Sequence, residues 1–270
     1  MQSRKNTARA VFFLSENRRN AIRAAVDIYS RARYNISMEL LLENPELKVE
    51  AAVIDDVVRF EHARVIAHDE HAAIVKAGET YKCVFDDIDR AREYIARFGI
   101  RGKACLLNMP ADAPAILGLD AAACKTFAYF APMPPLPDGS VAIKRLAPSL
   151  AETVREAYVK HGAAGYTVEQ VAALMRDKGI FGAIVGGKLA GFVGRHADGN
   201  IGMLEVFEPF RRRGLGRALA EFMIAYVMTF GRTPICDVFT DNAASLSMQD
   251  KLGMTAARGL TFWGALGEDE

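Results

Sequence analysis

The pattern of hydrophobic positions changes its period several times along the chain, which predicts a mixture of helices and strands. Between 214 and 230, the apolar residues Leu215, Leu219, Met223 and Val227 recur every four positions, as on one face of a helix. Shorter segments on either side alternate apolar and polar residues, as strands do. We therefore expect a mixed α/β fold.

Capping and turn residues set the predicted bounds in the C-terminal half. Thr167 with Gln170 three positions later forms a capping box, as does Ser149 with Glu152. Gly186-Gly187 between two apolar runs predicts a hairpin turn. The predicted strands are 141–146, 181–185, 189–195, 201–207, 235–239 and 261–264, and the predicted helices are 149–158, 167–178, 214–230 and 243–252. Their order is β-α-α-β-β-β-α-β-α-β.

The N-terminal half also predicts helices and strands, but it carries no chemical signature. Asp86 or Asp87 would cap an amphipathic helix whose apolar face includes Ile88, Ala91 and Ile95. The predicted elements of this half are helices at 17–33 and 86–98 and strands at 49–60 and 64–76.

Three histidines of this half, His62, His68 and His71, suggest a metal site. Their spacing places them neither four apart on a clear helix nor alternately on one strand face. We therefore interpret them as solvated or hydrogen-bonded side chains and predict no metal.

A proline-rich segment separates the two halves. Four prolines between Pro132 and Pro137 exclude a helix or a central strand and favour a stiff, extended spacer. We predict an N-terminal domain at 1–131, a linker at 132–140 and a C-terminal domain at 141–270. A long surface loop within one domain is the alternative.

Composition and charge narrow the class of protein. A length of 270 residues suits two domains, and a formal net charge of +1 gives no global basic field for nucleic acid or a membrane surface. The apolar run at 11–14 is too short for a signal peptide, and no stretch is long enough to predict a membrane span. Four cysteines without a CxxC pair predict reduced, mostly buried thiols in a cytoplasmic protein.

The chemical signal lies between 204 and 219, where a predicted strand runs through a turn into a helix. Gly214 and Gly216 lack Cβ, so backbone N–H groups of the helix start can approach a ligand closely. Arg211, Arg213 and Arg217 add positive charge. The residues alone predict a phosphate-binding site, with a surface arginine cluster as the alternative.

This arrangement resembles motif A of the GCN5-related N-acetyltransferases, whose loop binds the pyrophosphate of coenzyme A. The resemblance makes Arg211, Gly214 and Gly216 the loop signature, and it implies that Val206 and Phe207 of the strand face the pantetheine arm. Further residues along the loop are Arg212, Arg213, Leu215, Arg217 and Ala218.

A second segment resembles another signature of the same family. Asn242, Ser245 and the sequence Lys251-Leu252-Gly253 match it. The resemblance implies that Asn242 contacts the pantetheine, while an ordinary helix cap is the other interpretation and both roles are compatible. Gln249 occupies the position where many members have the tyrosine that protonates the thiolate.

Within the family, the chain from Phe192 onward is similar to the FR47-like and glycine N-acyltransferase-like branch. The resemblance implies a mixed central sheet flanked by helices in the C-terminal half. Members of this branch often carry an N-terminal domain that is a degenerate copy of the same fold, which would explain the first half.

The chemistry of acyl transfer needs a polarised carbonyl and a proton acceptor. We assign the first role to the backbone N–H of Phe207. The base candidates are Glu205, Asp237 and His196, in that order, although each could instead be a solvated strand or turn residue. Gln249 cannot protonate the leaving thiolate, so either the thiolate leaves unprotonated, or water or another residue supplies the proton.

The leading hypothesis is an enzyme that transfers an acyl group from acetyl-CoA, its cosubstrate, to a small amine or amino acid. A non-catalytic acyl-CoA sensor is the alternative, and near-zero net charge argues against a nucleic-acid binder. The sequence does not decide whether the chain forms a homodimer. Tyr158, His161, Tyr166 and Met175 of the first two helices do not select an acceptor.

Overall fold

A computed structural model of the chain describes residues 45–69, 71–100, 103–113, 122–135, 141–159 and 165–265. The predicted helix at 17–33 lies outside these ranges. The described residues form two compact units. We call 131–234 the contiguous unit, and 45–130 together with 235–265 the split unit.

The helices and strands follow one another with short connections. In chain order they are α1 (Lys48–Phe60), β1 (Arg64–His68), β2 (Ala72–Ala77), β3 (Thr80–Phe85), α2 (Ile88–Arg97), β4 (Ala104–Met109), β5 (Ala122–Ala128), β6 (Ala142–Arg145), α3 (Ala151–Val159), α4 (Val168–Asp177), β7 (Phe181–Val185), β8 (Lys188–Arg195), β9 (Ile201–Val206), α5 (Leu215–Met228), β10 (Ile235–Phe239), α6 (Ala243–Leu252), β11 (Thr255–Ala256) and β12 (Leu260–Ala265).

The contiguous unit is an antiparallel sheet with helices on both faces. Its strands lie in the order β9-β8-β7-β6. Helices α3 and α4 pack on one face, where Phe192 and Met203 are buried among their apolar residues. On the other side, the ring of Phe181 packs against Phe222 and Tyr226 of α5. The unit thus encloses its sheet between α3–α4 and α5.

The split unit is a mixed sheet. Its strands lie in the order β1-β2-β3-β4-β12-β5-β10, and β11 pairs with β5. Strands β3 and β4 are parallel and are joined through α2, while the other pairs of this sheet are antiparallel. Helix α1 packs with Ala73, Val75 and Val84, and α2 packs with a cluster that includes Phe85 and Phe262. The two helices therefore cover opposite faces.

The same order of elements occurs twice along the chain. The first half has α1-β1-β2-β3-α2-β4, and the second has α4-β7-β8-β9-α5-β10. In each copy the three consecutive strands form antiparallel neighbours. This recurrence is what a degenerate copy of one fold in the N-terminal half requires.

Most predicted bounds in the C-terminal half are confirmed to within two residues. The capping box of Thr167 and Gln170 is present, Gly253 ends α6 in the left-handed conformation, and Asp87 caps α2. The capping box at Ser149 is wrong, because Ser149 lies inside the 3-10 turn Pro148–Leu150 and α3 begins at Ala151.

The strand predicted at 49–60 is wrong, because these residues form helix α1. Its β-branched content favoured a strand, yet the buried residues Glu50, Ile54 and Val57 follow the spacing of a helix. The strand predicted at 64–76 is two strands, β1 and β2, and strands β3, β4 and β5 were missed.

Further observations concern the cysteines, the domain bounds and the helices that could cross a membrane. All four cysteines are buried and free, as expected. The split into 1–131 and 141–270 stays a prediction; the chain passes between the two compact units after 130 and again after 234. No helix in the described part of the chain has the length and apolar character needed to cross a membrane.

Candidate functional site

The predicted phosphate loop connects β9 to α5 in the contiguous unit. A 3-10 turn at Glu208–Phe210 follows β9, and then Arg212 adopts φ of 62° and Gly214 φ of 76°. Glycine accepts this left-handed conformation without a steric penalty, whereas Arg212 is a strained exception. The loop conformation thus depends on glycine at 214.

The start of α5 presents unpaired backbone donors. Gly214 is the N-cap and has no side chain to cap the helix, and the first intrahelical bond runs from Ala218 N–H to the Gly214 carbonyl. The N–H groups of Leu215, Gly216 and Arg217 therefore have no acceptor within the helix. Among the described residues, and apart from the neighbours of Gly214 in the chain and the backbone of α5, no atom lies within 4 Å of the position that a Cβ of Gly214 would take. The helix start thus faces open space.

Exposed arginines surround this helix start. Arg211, Arg212, Arg213 and Arg217 are all exposed. The guanidinium of Arg213 lies 5.8 Å from the centre of the Phe210 ring, and Nε of Arg217 lies 2.8 Å from a carboxylate oxygen of Glu221. Residues 211–217 therefore combine backbone donors with positive side chains.

Strand β9 has a bulge before the loop. The register with β8 shifts between Phe192 and Gly194, so that Met203 and Leu204 together lie opposite one residue of β8. Met203 has φ of 54° and is buried. A bulge bends its strand and re-aims the side chains that follow it, and here Glu205 follows directly.

Glu205, the first base candidate, is paired with a residue of the predicted loop. Nη2 of Arg211 lies 3.0 Å from Oε1 of Glu205, and Nε of Arg211 donates to the Val206 carbonyl at 2.9 Å. The side chain of Glu205 is 14% exposed. Arg211 thus joins the loop to the end of β9.

The role assigned to the Phe207 N–H is not supported by the strand pairing. This N–H donates to the Ala190 carbonyl of β8 at 2.9 Å, so it is not available to a thioester carbonyl. Because backbone groups alternate in direction along an antiparallel strand, the N–H of Val206 is directed away from β8. The backbone N–H assigned to polarise the thioester is therefore engaged within the sheet.

His196, the third base candidate, lies in an aromatic cluster at the end of β8. Its Nδ1 is 3.0 Å from the hydroxyl of Tyr166, and its ring lies near that of Tyr158. A Cβ on Gly202 would overlap Nε2 of His196, so the imidazole needs glycine there. Burial raises the pKa of Tyr166 to about 12, with smaller contributions from Tyr158 and Asp198.

The residues of the second signature lie in the split unit. Asn242 caps α6, because its side-chain oxygen accepts from the Ser245 N–H at 3.1 Å. The capping interpretation is therefore confirmed. Gln249 lies on α6 and is buried. Asp237, the second base candidate, is on β10 and is half-buried.

Asp237 has polar neighbours that were not predicted from the sequence. The hydroxyl of Thr126 donates to its carboxylate at 2.5 Å, Thr126 is also hydrogen-bonded to Thr261, and Thr261 accepts from the amide of Asn108. The only signal in the sequence was the presence of polar residues in otherwise apolar strands. Within the described ranges, no group of three or more histidine, cysteine, aspartate or glutamate residues could hold a metal.

Comparison with known proteins agrees with this architecture. Residues 178–263 match the family described as FR47-like protein. A structure of a Drosophila melanogaster protein is 18% identical, covering 91% of this chain and 95% of that chain, with a TM-score of 0.52. A GCN5-related N-acetyltransferase from Kribbella flavida is 13% identical, covering 84% and 97%, also with a TM-score of 0.52. No curated protein matches the chain.

The chain therefore has the mixed α/β fold of the GCN5-related N-acetyltransferases, as predicted. Its C-terminal half is similar to the FR47-like branch. At these identities the likeness to solved structures shows the fold alone.

Proposed function

We propose that this protein is a coenzyme A-dependent N-acyltransferase that moves an acetyl group from acetyl-CoA to a small amine or amino acid. The observation that carries the proposal is the open, uncapped start of α5 at Gly214, directly after the strand-to-loop connection of β9. The family match across this segment supports the same conclusion.

The charge of the loop suits the diphosphate of coenzyme A. Free N–H groups at a helix start and the positive end of its dipole favour an anion. Arg212 and Arg213 are exposed beside them. Side chains of this kind add charge-assisted hydrogen bonds to phosphate oxygens. We assign the diphosphate to this loop and the pantetheine arm to Val206 at the end of β9.

The reaction would form an amide and release a thiol. The nitrogen of the acceptor attacks the thioester carbonyl carbon, and the C–S bond breaks with its electron pair on sulfur. Glu205, Asp237 and His196 are the candidates to take a proton from the amine. The buried side chain of Gln249 cannot supply a proton to the thiolate, which leaves unprotonated or takes one from water.

A second candidate function is an acyl-CoA sensor without transferase activity. Two observations favour it. The first base candidate, Glu205, is paired with Arg211, and the N–H of Phe207 is engaged with Ala190. A transferase and a sensor would both bind coenzyme A at the same loop, so the two candidate functions differ in turnover and not in binding.

Calorimetric titration with acetyl-CoA tests the loop, with a matched pair of glycine variants. Gly214→Ala places a methyl group in the proposed diphosphate position. Gly231→Ala is the control, because Gly231 also has positive φ (71°) and open space around its Cβ position. Both variants bear the same backbone strain. We expect Gly214→Ala to bind acetyl-CoA at least about tenfold more weakly, and Gly231→Ala to bind like the unmodified protein.

Thiol release against a panel of amines and amino acids then separates the candidates. Binding with acceptor-dependent release supports the transferase. Binding without release against the whole panel supports the sensor. If the unmodified protein does not bind acetyl-CoA, or if both glycine variants bind equally well, the proposed site is wrong.

A further inference from the structure

An ion pair joins the predicted phosphate loop to the end of strand β9. Nη2 of Arg211 lies 3.0 Å from Oε1 of Glu205, and Nε of Arg211 donates to the Val206 carbonyl at 2.9 Å. All three residues belong to the contiguous unit. One guanidinium of the loop assigned to the diphosphate thus contacts the first base candidate.

Glu205 lies on the sheet face that α3 and α4 cover. It is directly opposite Phe192 in the register of β8 with β9, and residues that are directly opposite project from the same face. Phe192 is buried in the cluster that includes residues of α3 and α4, and its ring packs edge-on against Phe207. Helix α5 packs on the other face through Phe181. Arg211 therefore reaches from the loop that leads to α5 to the face of α3 and α4.

Arg211 is also close to the proposed diphosphate position. Three peptide steps separate it from Gly214, so the two Cα atoms are at most about 11 Å apart. The helix start at Gly214 offers backbone N–H groups to an anion. The contacts with Glu205 and Val206 use two of the five N–H donors of the guanidinium. Donors of Arg211 are therefore near both the carboxylate and the place assigned to the diphosphate.

The two side chains of the ion pair differ in exposure. The side chain of Arg211 is 48% exposed, whereas that of Glu205 is 14% exposed. An ion pair with a solvent-exposed partner contributes little to stability, because water screens the charges. Contacts between arginine and phosphate oxygens are charge-assisted and frequently bidentate. A diphosphate at the helix start can therefore take Arg211 from the carboxylate at a small cost.

From this geometry we propose that Arg211 changes its partner when coenzyme A binds. In the unliganded chain it holds the carboxylate of Glu205, and in the complex it binds the diphosphate. Glu205 therefore loses a positive neighbour only when the coenzyme is present. This inference rests on the proposed function and concerns the regulation of the same site.

The exchange controls when an acceptor can use the carboxylate. Oε1 of Glu205 is engaged by Arg211 in the unliganded chain, so the ammonium of an acceptor must compete with the guanidinium for this oxygen. Binding of the diphosphate removes that competition. Coenzyme binding therefore precedes use of the carboxylate, and the pairing of Glu205 becomes compatible with a transferase.

The other contacts of the loop arginines stay within the loop and α5. Nε of Arg217 lies 2.8 Å from Oε1 of Glu221, four positions further along α5, and the guanidinium of Arg213 lies 5.8 Å from the centre of the Phe210 ring. The pair of Arg217 and Glu221 is thus a second ion pair at the same helix that does not contact β9. It provides a matched control.

The first test is a double-mutant cycle in the full-length chain, with acetyl-CoA affinity measured by calorimetry. Glu205→Gln keeps the shape and removes the charge that competes for Arg211, so we expect acetyl-CoA to bind about two- to threefold more tightly. Arg211→Gln should weaken binding by about tenfold or more. In the Arg211→Gln background, Glu205→Gln should change the affinity by less than about 1.5-fold.

The control is Glu221→Gln, which also removes a carboxylate paired with an arginine. Its effect on affinity should be the same with and without Arg211, because Glu221 is paired with Arg217. A gain of affinity in Glu205→Gln cannot come from a loss of fold. Urea unfolding checks that the weaker-binding variants are folded.

A second test is a crystal structure of the unmodified protein with coenzyme A. The distance from Nη2 of Arg211 to Oε1 of Glu205 should exceed about 4 Å, beyond the range of an ion pair. A nitrogen of the guanidinium should lie about 3 Å from a phosphate oxygen. If the ion pair persists in the complex, Arg211 only anchors the loop and the proposed exchange is wrong.

The outcomes separate this inference from the proposed function. If acetyl-CoA binds but Glu205→Gln has the same effect with and without Arg211, the exchange does not occur, and the proposed function is unaffected. If Glu205→Gln tightens binding only in the presence of Arg211 but no amine of the panel is acetylated, the exchange occurs in an acyl-CoA sensor. If the unmodified protein does not bind acetyl-CoA, both the proposed function and the exchange are wrong.

Discussion

The guanidinium of Arg211 holds the carboxylate of Glu205 at 3.0 Å and, through Nε, the carbonyl of Val206 at 2.9 Å. One side chain of the predicted phosphate loop is thereby anchored to the last two residues of β9. These two contacts of Arg211 couple the conformation of the loop to the end of the strand, because a planar guanidinium donates in two fixed directions.

Substitutions of Arg211 and Glu205 should affect coenzyme binding more than folding. We expect Arg211→Lys to weaken acetyl-CoA binding by about tenfold, because an ammonium cannot reproduce the forked contact. Glu205→Gln should leave the affinity within about threefold. Arg211 is 48% exposed, so either change should alter the free energy of unfolding by about 1 kcal/mol or less. Calorimetry and urea unfolding check both expectations, and equal losses of affinity would contradict them.

The chain should bind one equivalent of acetyl-CoA, although its element order recurs. In the first copy only Asp86 and Asp87 separate β3 from α2, and the carboxylate of Asp87 accepts from the Arg90 N–H at 2.7 Å. A capped, acidic helix start repels a diphosphate. Calorimetric stoichiometry checks this expectation, and a second equivalent that survives Gly214→Ala would contradict it.

Gly202 and His196 should be energetically coupled. Gly202→Ala would drive a methyl group into Nε2 of His196, so we expect a loss of about 1–3 kcal/mol in the free energy of unfolding. In the double variant with His196→Ala the clash is absent, and the loss should be smaller than the sum of the two single losses. Urea unfolding of the four proteins measures the coupling. Additive losses would mean that the imidazole moves aside freely.

Glu50 should make the protein less stable as the pH rises above about 4.5. Burial raises the pKa of this α1 carboxyl from its usual value of 4.5, although hydrogen bonds from backbone N–H groups, including those of Arg258 and Gly259, oppose the shift. The folded chain therefore holds a proton that the unfolded chain releases, and stability falls as pH rises from the unfolded pKa through the folded one.

The substitution Glu50→Gln should remove this part of the pH dependence and leave the protein at least as stable at pH 7. The amide oxygen can still accept from the Arg258 N–H, which donates to Oε1 at 2.7 Å. Glu50→Ala is the contrast, and it should cost about 1–3 kcal/mol because a buried donor loses its acceptor. Urea unfolding at pH 4.5 and pH 7 checks both variants. Parallel pH dependences in Glu50→Gln and the unmodified protein would contradict the assignment.

Local signals predicted the C-terminal elements well. The cap of Thr167, the hairpin glycines and the left-handed Gly253 act over three or four residues, so they are visible in the sequence. Helix α1 was mistaken for a strand for the same reason. Its valines and isoleucine favour a strand locally, and the helix is stabilised instead by packing of Ile54 and Val57 against strands elsewhere in the chain.

The availability of backbone groups could not be predicted from the sequence. The motif suggested Phe207 as the polarising group, but the register of β9 with β8 engages its N–H with Ala190. A one-residue change of register reverses which backbone groups and side chains face a given side. The bulge at Met203 is the feature that sets this register, and no local pattern marks it.

The sequence was sufficient for the order of elements in the C-terminal half and for the family resemblance, because glycine conformation, helix starts and hydrophobic periods are properties of neighbouring residues. The tertiary structure decided which polar side chains pair across the sheet of the split unit. Thr126 and Asp237 are 111 positions apart, and Asn108 and Thr261 are 153 apart. Such pairs meet only when strands from both ends of the chain enter one sheet, and that pairing is selected by burial of the whole core.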